Sequence, residues 1–217
     1  MNSVLQELNE QYNNSQKTYS DNLRLKLHRS LSWLNQAEEQ KENYDFCFIS
    51  LWISFNAIYA DDFGSLSDKS DVSKFLKKIC LLDADKELYT LVWTTFSGNI
   101  RIFLNNKFIF QPFWDVNNNP SENKKRWQGP FELEKRRAFS AMATQNTSVI
   151  LNIIFRRLYT LRNQILHGGA SYNSSVNKNQ KKEACSFLLN ILPVIIKIIM
   201  NHSEEDWGKP YYPVIKE

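Results

Sequence analysis

The chain is expected to be all-α and to form one domain. Three observations predict this. Apolar residues recur at three- and four-residue spacing in several long segments. Only 6 Gly and 6 Pro interrupt 217 residues. Hydrophobic residues make up 42% and charged residues 23%, a balance that supports a real core and excludes disordered, collagen-like or disulfide-stapled classes. No repeat at the period of a solenoid or propeller is visible.

Taken in order, Met1 to Gln16 is polar and acidic and carries no secretory signal. From Asp21, the spacing of Leu23, Leu27, Leu31 and Leu34 predicts a long amphipathic helix with Ser20 or Asp21 at its cap. Tyr44 to Ala60 is apolar nearly all round, which predicts a central buried helix. Asp61 to Ser70 reads as a loop leading to a short helix over Val72 to Cys80. Leu88, Leu91, Val92 and Phe96 give a further helical period, broken at Gly98. Ile100 to Phe110 is ambiguous between helix and strand.

Gln111 to Pro130 holds Pro112, Pro120, Gly129 and Pro130, so an exposed irregular excursion is expected there, with residues 107–137 as the inserted segment. Phe131 to Leu166 reads as helix, broken near Ala143 to Ser148, with Val149, Ile150, Ile153, Ile154, Leu158, Leu161 and Ile165 facing inward. Gly168 and Gly169 end it. A polar loop follows over Tyr172 to Asn179, then an apolar helix over Gln180 to Asn201, kinked or started near Pro193. Residues 202–217 form a tail with an exposed aromatic run from Trp207 to Val214.

The apolar run Phe187 to Met200 is shorter than the ~20 residues of a membrane span, so no membrane association is expected. The 3 Cys are odd in number and far apart in sequence, which with the polar start predicts a reducing, cytoplasmic setting. The Cys and His residues never fall at zinc-ligand spacing, and no phosphate loop or nucleophile elbow is present. No metal and no cofactor is expected. A net charge of +4 is compatible with a polyanion partner without requiring one.

One motif carries chemistry. Before the two glycines stand Arg162, Asn163 and, five positions after the arginine, His167. Five helical residues turn through roughly 140°, so the long arginine stem has to swing toward the helix end to share a cleft with the histidine. Arginine supplies a permanent cation with a planar fork of donors, and histidine moves protons near neutral pH. Together these serve cleavage of RNA by its own 2′-hydroxyl, which needs a base, an acid and a cation. The helix macrodipole at this end favours a cation, so His167 reads as proton donor more than acceptor. The competing reading makes His167 a helix-end residue on the last carbonyls, Arg162 an interfacial ion-pair residue and Asn163 a helix-end polar group.

Lys124, Lys125, Arg126 and Trp127, followed by Lys135, Arg136 and Arg137, interleave charge with an aromatic ring in a way that suits a single strand. Arg156 and Arg157 lie near the motif and join them as candidate RNA contacts, against the alternative of a solvated charged loop.

The run Arg162-Asn163-x-x-x-His167-Gly168, after an aromatic helix reading Leu51-Trp52-Ile53-Ser54-Phe55-Asn56-Ala57-Ile58-Tyr59, resembles the HEPN superfamily, in particular prokaryotic members linked to phage defence and toxin systems. The resemblance covers roughly residues 21–200. It implies an HEPN-like helical bundle and a metal-independent endoribonuclease with Arg162, Asn163 and His167 as catalytic residues. It also implies a homodimer in which two motifs meet over RNA and leave a 2′,3′-cyclic phosphate. No second histidine lies near the motif, so acid and base require two copies. A non-catalytic module binding nucleotide, RNA or protein is the alternative. A cognate antitoxin or regulatory protein on the aromatic tail is a further expected partner.

Overall fold

A computed structural model describes residues 3–60, 68–119, 121–175 and 177–215, and among them every regular element is helical. The chain is all-α. Helix α1 (Ser3–Ser15) forms despite its polarity, because Leu5, Leu8 and Tyr12 suffice to bury one stripe. Ser20 caps α2 (Asp21–Glu39), its hydroxyl accepting from the Leu23 N–H at 3.3 Å. Helix α3 (Tyr44–Tyr59) is capped the same way by Asn43. The two helices form a hairpin cross-linked inside the core, where Ser54 Oγ donates to the Ser30 carbonyl at 2.8 Å.

Of the loop expected over 61–70, residues 61–67 lie outside the described residues, and α4 (Asp68–Leu82) begins at once after them. The Asp83 carboxylate then accepts the N–H groups of Leu88 and Tyr89 and starts the short α5 (Glu87–Thr90). The chain continues through a wide turn at Leu91–Thr95 into α6 (Ser97–Asn105), so the ambiguous segment after Ile100 is helical.

The irregular excursion expected over residues 107–137 is present only in part, and its flanks are a correction. They fold as one tight turn (Lys107–Ile109) with α7 (Gln111–Asn118) and as the start of α8 (Gln128–Ala143), while the described residues 119 and 121–127 between them are non-helical and mostly exposed. Pro112 and Pro130 sit within the first turns of their helices, where a missing N–H leaves no bond unmade. Ile109, Phe110, Val116 and Phe131 are buried, so hydrophobic burial rather than loop chemistry decides these two flanks.

The break expected near residues 143–148 is present. Helix α8 ends with Gln145 in the left-handed region (φ 49°), and Asn146 caps α9 (Thr147–Leu166), accepting from the Val149 N–H at 3.2 Å. The last helix, α10 (Lys178–Asn201), is continuous through Pro193 and does not start there. It is long and apolar enough to cross a membrane, contrary to the shorter run read from the sequence. Its most apolar window is 67% buried against the bundle, and it serves here as a core helix.

The core lies between α3, α9 and α10. Phe55 of α3 meets Phe155 of α9 with ring centroids 4.4 Å apart, and Phe155 in turn faces Phe187 of α10 at 6.3 Å. Each such fully buried side chain contributes on the order of 1.5–3 kcal/mol. Together they fix the axis of α9, and with it the position of the motif at its end.

The tail departs from expectation at Trp207, which is buried. Its indole donates to the His202 carbonyl at 2.8 Å, and the Lys78 ammonium lies 4.3 Å over its ring. Tyr212, Val214 and Ile215 remain exposed.

Candidate functional site

Helix α9 ends in a left-handed turn built by the two glycines. Gly168 has φ +71°, its N–H donates to the Ile165 carbonyl at 3.2 Å, and the Gly169 N–H donates to the Gln164 carbonyl at 2.7 Å. Only glycine fits this crossing, because a Cβ on Gly169 would lie 2.8 Å from the Gln164 carbonyl oxygen. His167 is the residue at the cap itself, with its backbone N–H on Asn163 and its imidazole exposed.

Arg162 is half-buried one turn earlier. Its Nη1 donates to the Asn163 Oδ1 at 2.9 Å, its guanidinium carbon lies 5.4 Å over the Tyr159 ring, and its Nε is buried with no acceptor. Asn163 therefore orients Arg162, and neither arginine nor histidine is consumed by a carboxylate among the described residues. The structure thus joins Arg162 to Asn163 but forms no hydrogen bond from either side chain to His167.

Gln164, which sequence reasoning passed over, ties this turn to its surroundings. Its amide donates to the Phe108 carbonyl, and its Oε1 accepts from Asn177 at 2.8 Å. The loop after the glycines is pinned to α3 as well. The Asn173 N–H donates to Asp45 at 2.8 Å, Lys181 pairs with the same carboxylate, and Asn43 donates to the Tyr172 hydroxyl at 2.7 Å. The contacts to Asp45 and Asn43 join residues more than 120 apart in sequence, so no local spacing announces them.

The expected RNA contacts divide. Lys124 donates to the carbonyls of Val116, Asn117 and Asn119, closing the end of α7. Arg126 is exposed but paired to Glu122 at 2.7 Å. Trp127 is half-buried and packs edge-on against Phe113 and Phe131. Lys125 is exposed and makes no side-chain hydrogen bond or ion pair among the described residues.

Arg156 pairs with Glu134 at 2.7 Å while staying partly open. Arg157 does not lie on the surface as an RNA contact would. It is 1% exposed, 2.8 Å from Glu134, and stacked under Phe110 and Phe131, and burial lowers its pKa to about 10 despite that carboxylate. Its guanidinium is an internal strut. Lys107 was missed: its ammonium lies over the rings of Phe108, Phe113 and Trp127, and Phe108 is the residue whose carbonyl receives Gln164.

No family model, no curated protein and no solved structure matches the chain.

The other histidines and the cysteines lie apart from the motif in sequence and have their own surroundings. His202 Nδ1 contacts the Ile198 carbonyl at 3.0 Å, and His28 packs beside Tyr12. The Cys185 thiol is pushed far up in pKa, first by Cys47 beside it and then by burial, while burial pushes Cys80 up to about 12. Neither is a thiolate nucleophile at neutral pH. Among the described residues no group of His, Cys, Asp and Glu is placed to hold a metal ion.

Proposed function

We propose that this chain is a metal-independent endoribonuclease of HEPN-like type, acting in the cytoplasm as a homodimer and serving as a defence or toxin effector. The observation that carries this reading is the end of α9. An oriented guanidinium with a free buried Nε stands one turn from an exposed imidazole, on a turn that only glycine permits.

In this reading one imidazole takes the proton from a ribose 2′-hydroxyl, and the 2′-oxygen bonds to the adjacent phosphorus. The bond from phosphorus to the 5′-oxygen breaks, and a second imidazole, from the partner copy, gives that oxygen its proton. Arg162 steadies the charge on the phosphate, and Asn163 holds Arg162. The products are a 2′,3′-cyclic phosphate and a 5′-hydroxyl, and the nucleophile comes from the substrate itself.

Exposed apolar side chains around the motif support a second copy docking there: Leu166 precedes His167, and the rings of Phe46 and Tyr172 meet at 5.7 Å. The Lys107 ammonium over its three rings, with Lys125 beyond, supports a single strand lying along that side. The exposed tail from Tyr212 to Ile215 is the surface on which an antitoxin or regulatory partner would sit.

The test is to incubate the purified chain with RNA in excess chelator and analyse the ends. Cyclic-phosphate and 5′-hydroxyl termini are expected. Salt-sensitive binding without product would favour a non-catalytic module instead.

A further inference from the structure

A cavity of about 390 Å³ lies between α3, α7, α8 and α9, away from the motif's histidine. That volume falls in the range of small-molecule pockets, roughly 300–1,000 Å³. Trp52, Phe110, Pro112 and Tyr159 contribute its apolar wall, and its charged groups are Asp115 of α7, Glu134 and Arg137 of α8, and Arg156 and Arg157 of α9.

The charges there are unevenly matched. Arg137, Arg156 and Arg157 all line the cavity, against Glu134 and Asp115. Glu134 alone serves two of the guanidiniums, at 2.7 Å from Arg156 and 2.8 Å from Arg157. Arg137 has no carboxylate partner among the described residues. Arg157 is 1% exposed, yet its Nε, Nη1 and Nη2 have no aligned hydrogen-bond acceptor. A buried guanidinium in this condition is expensive to hold, and its pKa, lowered to about 10 by burial, reflects that cost. Asp115, already accepting from Gln111 at 2.9 Å, leaves one acceptor oxygen for a donor on a ligand.

We propose that this cavity is a binding site for a small planar acid, an aromatic ring that carries one phosphate or carboxylate group. The acid group sits against Arg137 and Arg156, over the positive floor of Arg157, and the ring lies against the apolar wall to which Trp52, Phe110 and Tyr159 contribute. An aromatic wall favours an aromatic guest, and the arginine forks match either anion in bidentate fashion. Tyr159 also carries Arg162 on its ring, so an occupied cavity lies one ring away from the motif.

Titration calorimetry and the intrinsic tryptophan fluorescence of the full chain decide this by binding, whatever the outcome of cleavage assays. The probes are adenosine monophosphate and indole-3-carboxylate, which separate the phosphate from the carboxylate source. Adenosine and indole serve as ring-only controls. At least one acid is expected to bind and raise Tm, with Arg137→Ala and Arg156→Ala each weakening it about tenfold or more. The ring-only controls are expected to bind at least tenfold more weakly than their acids. Arg137 is exposed, so its replacement leaves the fold intact and keeps the comparison clean. Absence of binding by both acids at about 1 mM, or equal binding by wild type and the Arg137→Ala chain, overturns the proposal.

Discussion

The side chain of Asn163 accepts from Arg162 at 2.9 Å, while the Nε of that same guanidinium is buried and unpartnered. Adjacent residues on a helix point about 100° apart, so this contact exists only because the arginine folds back over Tyr159.

Asn163→Ala removes the oriented contact and leaves the charge. A hydrogen bond to a charged group is worth about 1.5–3 kcal/mol, so RNA cleavage is expected to fall roughly 10- to 100-fold with Tm little changed. Arg162→Lys keeps the cation, loses the fork and is expected to fall at least as far. Initial rates on one RNA, with Tm recorded for each variant, check both.

Gly169→Ala drives a Cβ to 2.8 Å from the Gln164 carbonyl oxygen, which is backbone and cannot move aside. Gly168→Ala places a side chain at φ +71°. The second change is expected to cost about 1–2 kcal/mol. The first should cost more, because it also displaces the turn that carries His167. Urea midpoints measure the order, and equal stability of the two variants would contradict the proposed geometry.

Arg157 and Glu134 test the internal strut. Glu134→Gln leaves a buried guanidinium uncompensated and is expected to destabilise by about 3–5 kcal/mol. Arg157→Met removes the buried charge, fills much of its space and is expected to cost clearly less. Thermal unfolding of the two variants decides the order.

The cysteines supply a pH prediction. Cys80 has its pKa raised from 9.0 to about 12, chiefly by burial. The folded chain keeps that proton where the unfolded chain loses it. The group's contribution is therefore fully present below about pH 9 and declines as pH rises from 9 toward 12. At pH 8 all three thiols, Cys47 and Cys185 being buried, are expected to resist a thiol reagent until denaturant is added. Rapid labelling of the native chain would contradict this.

Much of the fold was legible in the sequence where burial follows a local period. The stripe of α2, the all-round apolar α3, the break before Thr147 and the glycine stop of α9 are all set by neighbours within a turn or two. What escaped was decided by distant partners. Residues 111–118 and 128–130 look like loop because of their prolines, but Phe110, Phe113, Trp127 and Phe131 pack on one another and hold these two stretches as helices. Arg157 looks like a surface cation until Glu134, 23 positions earlier, is seen to face it. Of the candidate site, Arg162, Asn163 and His167 were visible from their spacing. Gln164 and Asp45 were not, since their partners come from distant segments, and Lys107 was not, since its place over Phe113 and Trp127 follows from how that segment folds.

The most direct measurement is the rate at which wild type and His167→Ala form 2′,3′-cyclic phosphate ends on the same RNA in chelator, each with its Tm and oligomeric state recorded. A loss of about 10²- to 10⁴-fold with fold and dimer intact is expected of a general acid–base group. Equal rates, or a wild-type chain that never forms such ends, would contradict the assignment of the α9 terminus as a nuclease site.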